Sequence, residues 1–142
     1  DKYTRLFSFV DRKQEVEAAK KKIADVKIKT PTPYQSIEYL SGGNQQKVII
    51  GRWLDSDASV YIFDEPTKGI DVGAKQDVYK LIIELARNGK AVIYSSSEQS
   101  EILQLTDRVY VMYGGKIQKE FKTADVTEEQ LLLYSTGGEL VK

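Results

Sequence analysis

The chain has 142 residues, 41% of them apolar and 30% charged, which favours a globular domain over a disordered, collagen-like or coiled-coil chain. Lysine plus arginine and aspartate plus glutamate each number 21, so no net charge attracts nucleic acid. Histidine and cysteine are absent, which excludes disulfides, thiolate nucleophiles, imidazole catalysis and the usual zinc sites. No apolar run reaches the length of a membrane span and the charged start is not typical of a signal peptide, so the cytosol is the expected compartment.

The first third of the chain is predicted to be helical. Residues 12–25 carry apolar side chains at helical spacing behind Asp11, which is placed to cap a helix. The two prolines in residues 29–34 predict an extended connector, because each fixes its own φ and restricts the residue before it. A second helix is predicted over residues 45–54, with Ser41 placed to cap it.

From residue 60 onward, short β-branched and aromatic runs alternate with amphipathic helical segments. Three strands are predicted, over residues 60–63, 91–94 and 109–112. Their lack of polar alternation is typical of strands buried on both faces, and the strand–helix alternation predicts parallel pairing. Gly114-Gly115 then predicts a hairpin turn, and Thr127 is placed to cap a last helix.

An acidic pair follows the first predicted strand. Asp64 and Glu65 stand before Pro66 at the C-terminal end of this strand, where open α/β sheets place their ligand crevice. Adjacent side chains point to different sides, so Asp64 suits a Mg²⁺ ion, while Glu65 suits polarisation of the water that attacks a phosphorus atom. A solvated turn before a proline is the alternative interpretation of this pair taken alone.

A glycine-containing motif begins the second predicted helix. Residues 40–46 read LSGGNQQ, which offers the Ser41 hydroxyl and the backbone N–H groups of Gly42 and Gly43. Free N–H groups and the helix dipole favour an anion such as a terminal phosphate, and the glycines allow it to approach closely. A plain capped helix after a loop is the alternative interpretation.

The order and spacing of three motifs resemble a known family. Residues 40–47 (LSGGNQQK), 60–67 (VYIFDEPT) and 69–75 (GIDVGAK) are similar to the signature, Walker B and D-loop motifs of ABC transporter ATPases. The asparagine in the signature, the D-loop wording and the KTPTP connector at 29–33 resemble the second of two fused ATPase domains in bacterial importers of the ribose and galactose type. The resemblance covers the chain from about residue 5 to 138.

The resemblance implies ATP and Mg²⁺ as cofactors. It implies a nucleotide-binding role for six residues: Ser41, Gly42, Gly43, Asn44, Gln45 and Asp71. The first three of these would contact the γ-phosphate of ATP held by a partner domain. Asp71 would cross the dimer interface, although its position equally allows it to cap the helix predicted at 73–88. Asp64 would hold the Mg²⁺, and Glu65 would be the catalytic residue at the attacking water.

The sequence departs from the family in its phosphate-binding loop. No Gly-x4-Gly-Lys-Ser/Thr motif occurs; Gly115-Lys116, for example, is followed by Ile117. Without such a loop a triphosphate loses most of its binding energy, so we expect no ATP hydrolysis by this chain alone. The family places that loop before the first helix predicted here, and the chain is therefore interpreted as the C-terminal part of an ABC domain.

A second departure lies after the strand that follows Walker B. ABC ATPases usually carry there a histidine that contacts the γ-phosphate, and Ser97 takes its place in this sequence. A hydroxyl can hydrogen-bond a phosphate but lacks the charge of an imidazolium. The resemblance thus implies Ser97 as a catalytic candidate in a degenerate site, with capping of the next helix as the alternative.

The implied fold is α/β, a partial P-loop NTPase domain of the ABC type. A helical signature subdomain over 1–56 would precede the ATPase core over 57–142, which holds a mostly parallel three-layer sheet and a C-terminal hairpin. In the family, a further strand lies between those corresponding to 91–95 and 109–113. Without it, these two strands are expected to pair directly, to shift, or to recruit a strand from another chain.

The implied function is that of an importer subunit that couples ATP binding and hydrolysis to uptake of a monosaccharide. The implied partners are a second ABC ATPase domain, a membrane permease facing residues 1–56 and, indirectly, a periplasmic or extracellular sugar-binding protein. The implied location is the inner face of the cell membrane, on the cytoplasmic side. A nucleoside importer and a non-catalytic interaction module stay open, as does association of the chain with itself. Zero net charge argues against a DNA-repair or chromosome-organising ATPase.

Overall fold

The computed structural model describes residues 11–138. Its regular elements are α1 (Arg12–Asp25), α2 (Gly42–Leu54), β1 (Val60–Asp64), α3 (Val72–Arg87), β2 (Ala91–Ser95), α4 (Gln99–Leu105), β3 (Arg108–Tyr113), β4 (Lys116–Lys122) and α5 (Glu128–Ser135). Two short 3₁₀ turns lie at Ile37–Tyr39 and Thr123–Asp125. The predicted elements are present near their predicted bounds, and the α/β class is confirmed.

The described residues divide into two compact units. Unit 1 comprises residues 11–59 and 67–81, and unit 2 comprises residues 60–66 and 82–138. The predicted division into 1–56 and 57–142 has its outer ends outside the described residues and stays a prediction.

Unit 1 is built on α1, α2 and the first part of α3. The Asp11 carboxylate begins α1 by accepting hydrogen bonds from the backbone N–H groups of Lys13 and Gln14, at 3.1 and 3.3 Å, which satisfies donors that a helix start leaves unpaired. Helix α2 packs against the C-terminal end of α1 at Gly51, where a Cβ would be 3.4 Å from side-chain atoms of Lys22 and of Val26, the residue that follows α1. This is an ordinary packing distance, so Gly51 marks the place where the two helices meet.

Unit 2 contains two two-stranded sheets. Strands β1 and β2 are parallel, in a register that runs from Val60 opposite Ala91 to Asp64 opposite Ser95, and this confirms parallel pairing for the first two predicted strands. Strand β3 forms the expected antiparallel hairpin with β4. Among the described residues β3 pairs with neither β1 nor β2, so direct pairing, one of the three outcomes expected for the strands at 91–95 and 109–113, is not what the structure shows.

The core of unit 2 packs α4 and α5 against the hairpin. It contains five buried apolar residues: Ile102, Val109, Val111, Val126 and Leu131. Helix α5 begins with the predicted cap, in which Thr127 and Gln130 exchange hydrogen bonds between side chain and backbone. Tyr94 of β2 packs against the same core, which connects the parallel strands to it.

The prediction that the strands are buried on both faces is wrong for the described residues. In β1, Tyr61 and Phe63 are buried, whereas Val60 and Ile62 on the opposite face are 53% and 71% exposed. Ile93, opposite Ile62 in β2, is 56% exposed. An apolar run without alternation predicts a strand but does not show what covers each face, and no element within 11–138 covers this one.

The helices described here are short or strongly polar. Within residues 11–138, none combines the length and the apolar content that a membrane span requires.

Candidate functional site

The acidic pair lies where β1 ends. Asp64 is the last residue of the strand and its side chain is exposed, while Glu65 is half-buried and leaves the strand with a φ of +46°. Positive φ is uncommon for a residue with a side chain, and such conformations cluster at functional sites. Because the backbone turns sharply here, the two carboxylates are directed to different neighbours.

The last residue of β2 and the loop after it hold the two acids. The Ser95 hydroxyl donates to Asp64 Oδ1 at 2.9 Å, as its register opposite Asp64 allows. The backbone N–H of Ser97 donates to Glu65 Oε1 at 2.9 Å, and the Glu65 N–H donates to the Ser95 carbonyl oxygen at 2.9 Å. The structure therefore brings together Asp64, Glu65 and Ser97, all in unit 2, although Ser97 contacts Glu65 through its backbone.

The exposed carboxylate of Asp64 fits an oxygen-liganded cation. Mg²⁺ usually takes one or two protein carboxylates and completes its shell with water and phosphate oxygens. One Asp64 oxygen accepts from Ser95, and a carboxylate has several further lone pairs. No cluster of three or more acidic side chains that could hold an ion lies within residues 11–138.

The start of α2 differs from the predicted cap. Ser41 is at the N-cap position but makes no side-chain hydrogen bond to the helix backbone, so the prediction that its hydroxyl caps α2 is wrong. Its hydroxyl oxygen instead accepts from Asn44 Nδ2 at 2.8 Å. A hydroxyl that accepts one hydrogen bond still carries a proton to donate. The Ser41 hydroxyl and the first N–H groups of α2 are thus arranged as donors for an anion.

The Asn44 and Gln45 amides support this helix start from within unit 1. Asn44 Oδ1 accepts from the backbone N–H of Lys29 at 2.8 Å, which ties the proline-containing connector to α2. Gln45 Nε2 donates to the Leu40 carbonyl oxygen at 2.9 Å. Both amides therefore position the backbone and the hydroxyl around Ser41.

Gly43 lies against the start of α3. A Cβ built at Gly43 would be 2.3 Å from Ala74 Cβ and 3.8 Å from Asp71 Oδ2. Asp71 Oδ1 accepts from the Ala74 backbone N–H at 2.9 Å, so the alternative interpretation of Asp71 as the cap of α3 is confirmed. The structure thus brings the second glycine of the 40–47 motif and Asp71 together in unit 1.

The sequence does not predict three residues that contact the predicted site residues. Ser95 orients Asp64, the Lys29 backbone orients Asn44, and Ala74 contacts Gly43. In-register parallel pairing of β1 and β2 would have placed Ser95 opposite Asp64 and so could have identified it. Nothing in the sequence pattern points to Lys29 or Ala74, because both contacts depend on tertiary packing.

A groove of about 560 Å³ lies within unit 1 beside α1 and α2. Helices α1 and α2 and the proline-containing connector line the groove with apolar and charged side chains, including Ile23, Pro33, Val48 and Arg52. Three large aromatic side chains in the same unit are strongly exposed: Tyr34, Tyr39 and Trp53. Exposed aromatic side chains of this kind are enriched at protein interfaces.

The sequence of residues 2–68 matches the family described as ABC transporter. The xylose import ATP-binding protein XylG of Thermoanaerobacter pseudethanolicus is 47% identical over 138 residues, which cover 96% of this chain and 27% of that protein. The arabinose import ATP-binding protein AraG of Paraburkholderia xenovorans is 50% identical over 131 residues, which cover 92% of this chain and 25% of that protein. The chain spans about a quarter of the length of these relatives.

The fold is similar to that of a bacterial ABC transporter cassette that was solved as a dimer. The TM-score is 0.70 at 20% sequence identity, and the match covers 84% of this chain and 51% of that chain. At this identity the likeness concerns the fold.

Proposed function

Since this chain belongs to the ABC transporter ATPase family, we propose that it is part of the ATP-binding subunit of an importer that couples ATP binding and hydrolysis to monosaccharide uptake. Relatives that match it over nearly its whole length at 47% and 50% identity are named as xylose and arabinose import ATP-binding proteins. The observation that carries the proposal is the acidic pair at the end of β1, in which Asp64 is held by Ser95 at the end of β2 and Glu65 by Ser97 in the next loop.

Within this function, Asp64 would hold the Mg²⁺ that accompanies ATP. When bound, this ion would neutralise charge on the phosphates. Glu65 polarises the attacking water through its carboxylate. Its Oε1 accepts from Ser97, and the carboxylate retains lone pairs toward water. Ser97 takes the sequence position of the family's histidine, so its hydroxyl is the group proposed to contact the γ-phosphate, while its backbone N–H donates to Glu65 Oε1 at 2.9 Å.

The start of α2 acts on nucleotide held by another ATPase domain. Ser41, Gly42 and Gly43 supply the hydroxyl and N–H donors that bind the γ-phosphate, and Asn44 and Gln45 support them. Asp71, adjacent to Gly43 in unit 1, couples this contact to the partner domain. The dimeric state of the structurally similar cassette supports such an arrangement.

The remaining partners follow from the same proposal. A membrane permease contacts the helical part of the chain, where the groove beside α1 and α2 and the exposed aromatic residues lie. A sugar-binding protein outside the membrane takes part through the permease. The chain then lies at the cytoplasmic face of the membrane. In isolation it can also associate with itself, because the Ile62 and Ile93 face of β1 and β2 is exposed.

The chain alone is proposed to be inactive as an ATPase. Its sequence contains no phosphate-binding loop, so the backbone N–H groups and lysine that would hold the β- and γ-phosphates are missing from it. Asp64 and Glu65 then have no bound γ-phosphate on which to act.

A chimera tests this function. The segment of the Thermoanaerobacter pseudethanolicus relative that precedes the matched region is joined to residue 1 of this chain. We expect the chimera to bind Mg-ATP in the micromolar range and to release phosphate, and Glu65→Gln to slow release by about 10² to 10⁴-fold because a general base is lost. Calorimetry gives the binding and a coupled phosphate assay the rate.

The control variant is Glu98→Gln, which changes an exposed carboxylate of the same loop and is expected to leave phosphate release within about twofold of the parent rate. A folded chimera that binds no Mg-ATP would contradict the proposed function. It would favour the non-catalytic interaction module instead.

A further inference from the structure

Glu101 is a buried carboxylate that the proposed function does not use. It lies in α4 with only 2% of its surface exposed. Its Oε2 accepts from the Tyr94 hydroxyl at 2.7 Å and from the Ser96 hydroxyl at 2.8 Å. A buried carboxyl group is costly unless hydrogen bonds compensate its lost hydration. The Tyr94 and Ser96 hydroxyls supply two such bonds to Glu101.

The Ser96 hydroxyl is fixed from two sides. It donates to Glu101 Oε2 and accepts from the backbone N–H of Glu98 at 3.0 Å. These two bonds span the loop between β2 and α4 and hold it against the buried carboxylate. The backbone of Ser97 lies between the two anchored positions, so the direction of its N–H is set by the same contacts.

The opposite side of this loop contacts the acid assigned to the attacking water. The Ser97 N–H donates to Glu65 Oε1, and the Glu65 N–H donates to the Ser95 carbonyl oxygen, both at 2.9 Å. Glu65 holds a φ of +46°, a conformation that persists only where neighbouring contacts enforce it. The loop is thus anchored on Glu101 at one side and holds Glu65 at the other.

We propose that Glu101 is a positioning residue for Glu65, acting through the Ser96 hydroxyl and the Ser97 backbone N–H. The inference rests on the proposed function of Glu65 as the residue that polarises water. In this loop Ser97 takes the place of the family's histidine. The buried Glu101 carboxylate and the Ser96 hydroxyl then fix the orientation of the Glu65 carboxylate. A mobile carboxylate would lose the alignment on which general-base catalysis depends.

The first test uses hydrogen exchange on the 142-residue chain. Ser96→Ala removes the link to Glu101 and is expected to raise the exchange rate of the Ser97 amide about tenfold, the loss expected for one hydrogen bond. Tyr94→Phe is the matched control, because it removes the other donor to the same oxygen and leaves the Ser96 bond in place. We expect it to leave that rate within about twofold. The amides of Val109 and Val111 report whether either variant destabilises the whole unit.

The second test uses the rate of phosphate release by the chimera. Ser96→Ala is expected to lower kcat about tenfold with KM for Mg-ATP unchanged, and to have no further effect once Glu65 is glutamine. Equal Ser97 exchange rates in Ser96→Ala and Tyr94→Phe, or additive losses of kcat with Glu65→Gln, would overturn the positioning role. A chimera without nucleotide binding would contradict the proposed function, whereas hydrogen exchange would still decide how Glu65 is held.

Discussion

Replacing Gly43 with alanine is expected to destabilise the chain by about 2–3 kcal/mol, because the new Cβ overlaps its neighbour and overpacking of this kind displaces backbone. The added atom would lie 2.3 Å from Ala74 Cβ. That carbon is attached directly to the backbone of α3 and has no rotamer through which to move away. Denaturant unfolding, monitored by the fluorescence of Trp53 in α2, measures the loss.

Two variants make this prediction specific to the contact. Gly42→Ala adds the same atom one residue earlier, where the nearest atom is Ile70 Cγ2 at 3.8 Å, an ordinary packing distance. It is expected to change stability by less than about 1 kcal/mol. Ala74→Gly combined with Gly43→Ala is expected to restore most of the loss, since the next atom is 3.7 Å away. A Gly43→Ala variant as stable as Gly42→Ala would contradict the packing described here.

Replacing Asp77 with asparagine is expected to destabilise unit 1 by about 2 kcal/mol at neutral pH, since it leaves a buried cation without its anion. Lys47 is 4% exposed, and its Nζ donates to Asp77 Oδ2 at 2.6 Å and to the Lys27 carbonyl oxygen at 3.1 Å. The ammonium therefore keeps one partner in the variant. The expected loss of stability is moderate because the Asp77 side chain is 36% exposed and water screens the ion pair. Asp25→Asn, at an exposed aspartate of α1, is the control and is expected to have an effect below about 0.5 kcal/mol.

The same ion pair makes stability depend on pH. The hydrogen bond from Lys47 is the largest of the effects that lower the pKa of Asp77 below its ordinary value of 3.8. Because the folded-state pKa is lowered, the ion pair contributes fully to stability above pH 3.8, the ordinary value. This contribution to stability is lost as the pH falls through the lower, folded-state pKa. The difference in unfolding free energy between the parent chain and Asp77→Asn should therefore be constant near neutrality and vanish in acid. A difference that persists unchanged in strong acid would contradict this assignment.

The helices, the strands and the residues that begin or follow them can be predicted from the sequence where interactions between neighbouring residues determine the structure. Asp11 and Thr127 begin helices because their side chains satisfy N–H groups within the next three residues. The β1–β2 pair follows from two apolar runs joined by an amphipathic helix. The acidic pair at the end of β1 follows from the same reasoning, since ligands bind at the carboxyl ends of parallel strands.

Other features depend on tertiary contacts that a sequence pattern does not contain. Ser41 is a residue type that commonly caps helices and it lies at the N-cap position. Its hydroxyl nevertheless accepts a hydrogen bond from the Asn44 amide and makes none to the backbone of α2. Ile62 and Ile93 are apolar and β-branched, as residues of buried strands usually are, yet nothing within residues 11–138 covers them. The sequence predicts a role for the Ser97 hydroxyl, whereas the backbone N–H of Ser97 makes the contact with Glu65.

A titration of the 142-residue chain with Mg-ATP, followed by an assay for released phosphate, tests whether the chain can use ATP without a phosphate-binding loop. The chain carries the Asp64 and Glu65 chemistry without a phosphate-binding loop, so we predict no saturable binding below about 1 mM nucleotide and no phosphate release. Saturable micromolar binding, with phosphate release that Glu65→Gln abolishes, would show instead that the chain binds and hydrolyses ATP without such a loop.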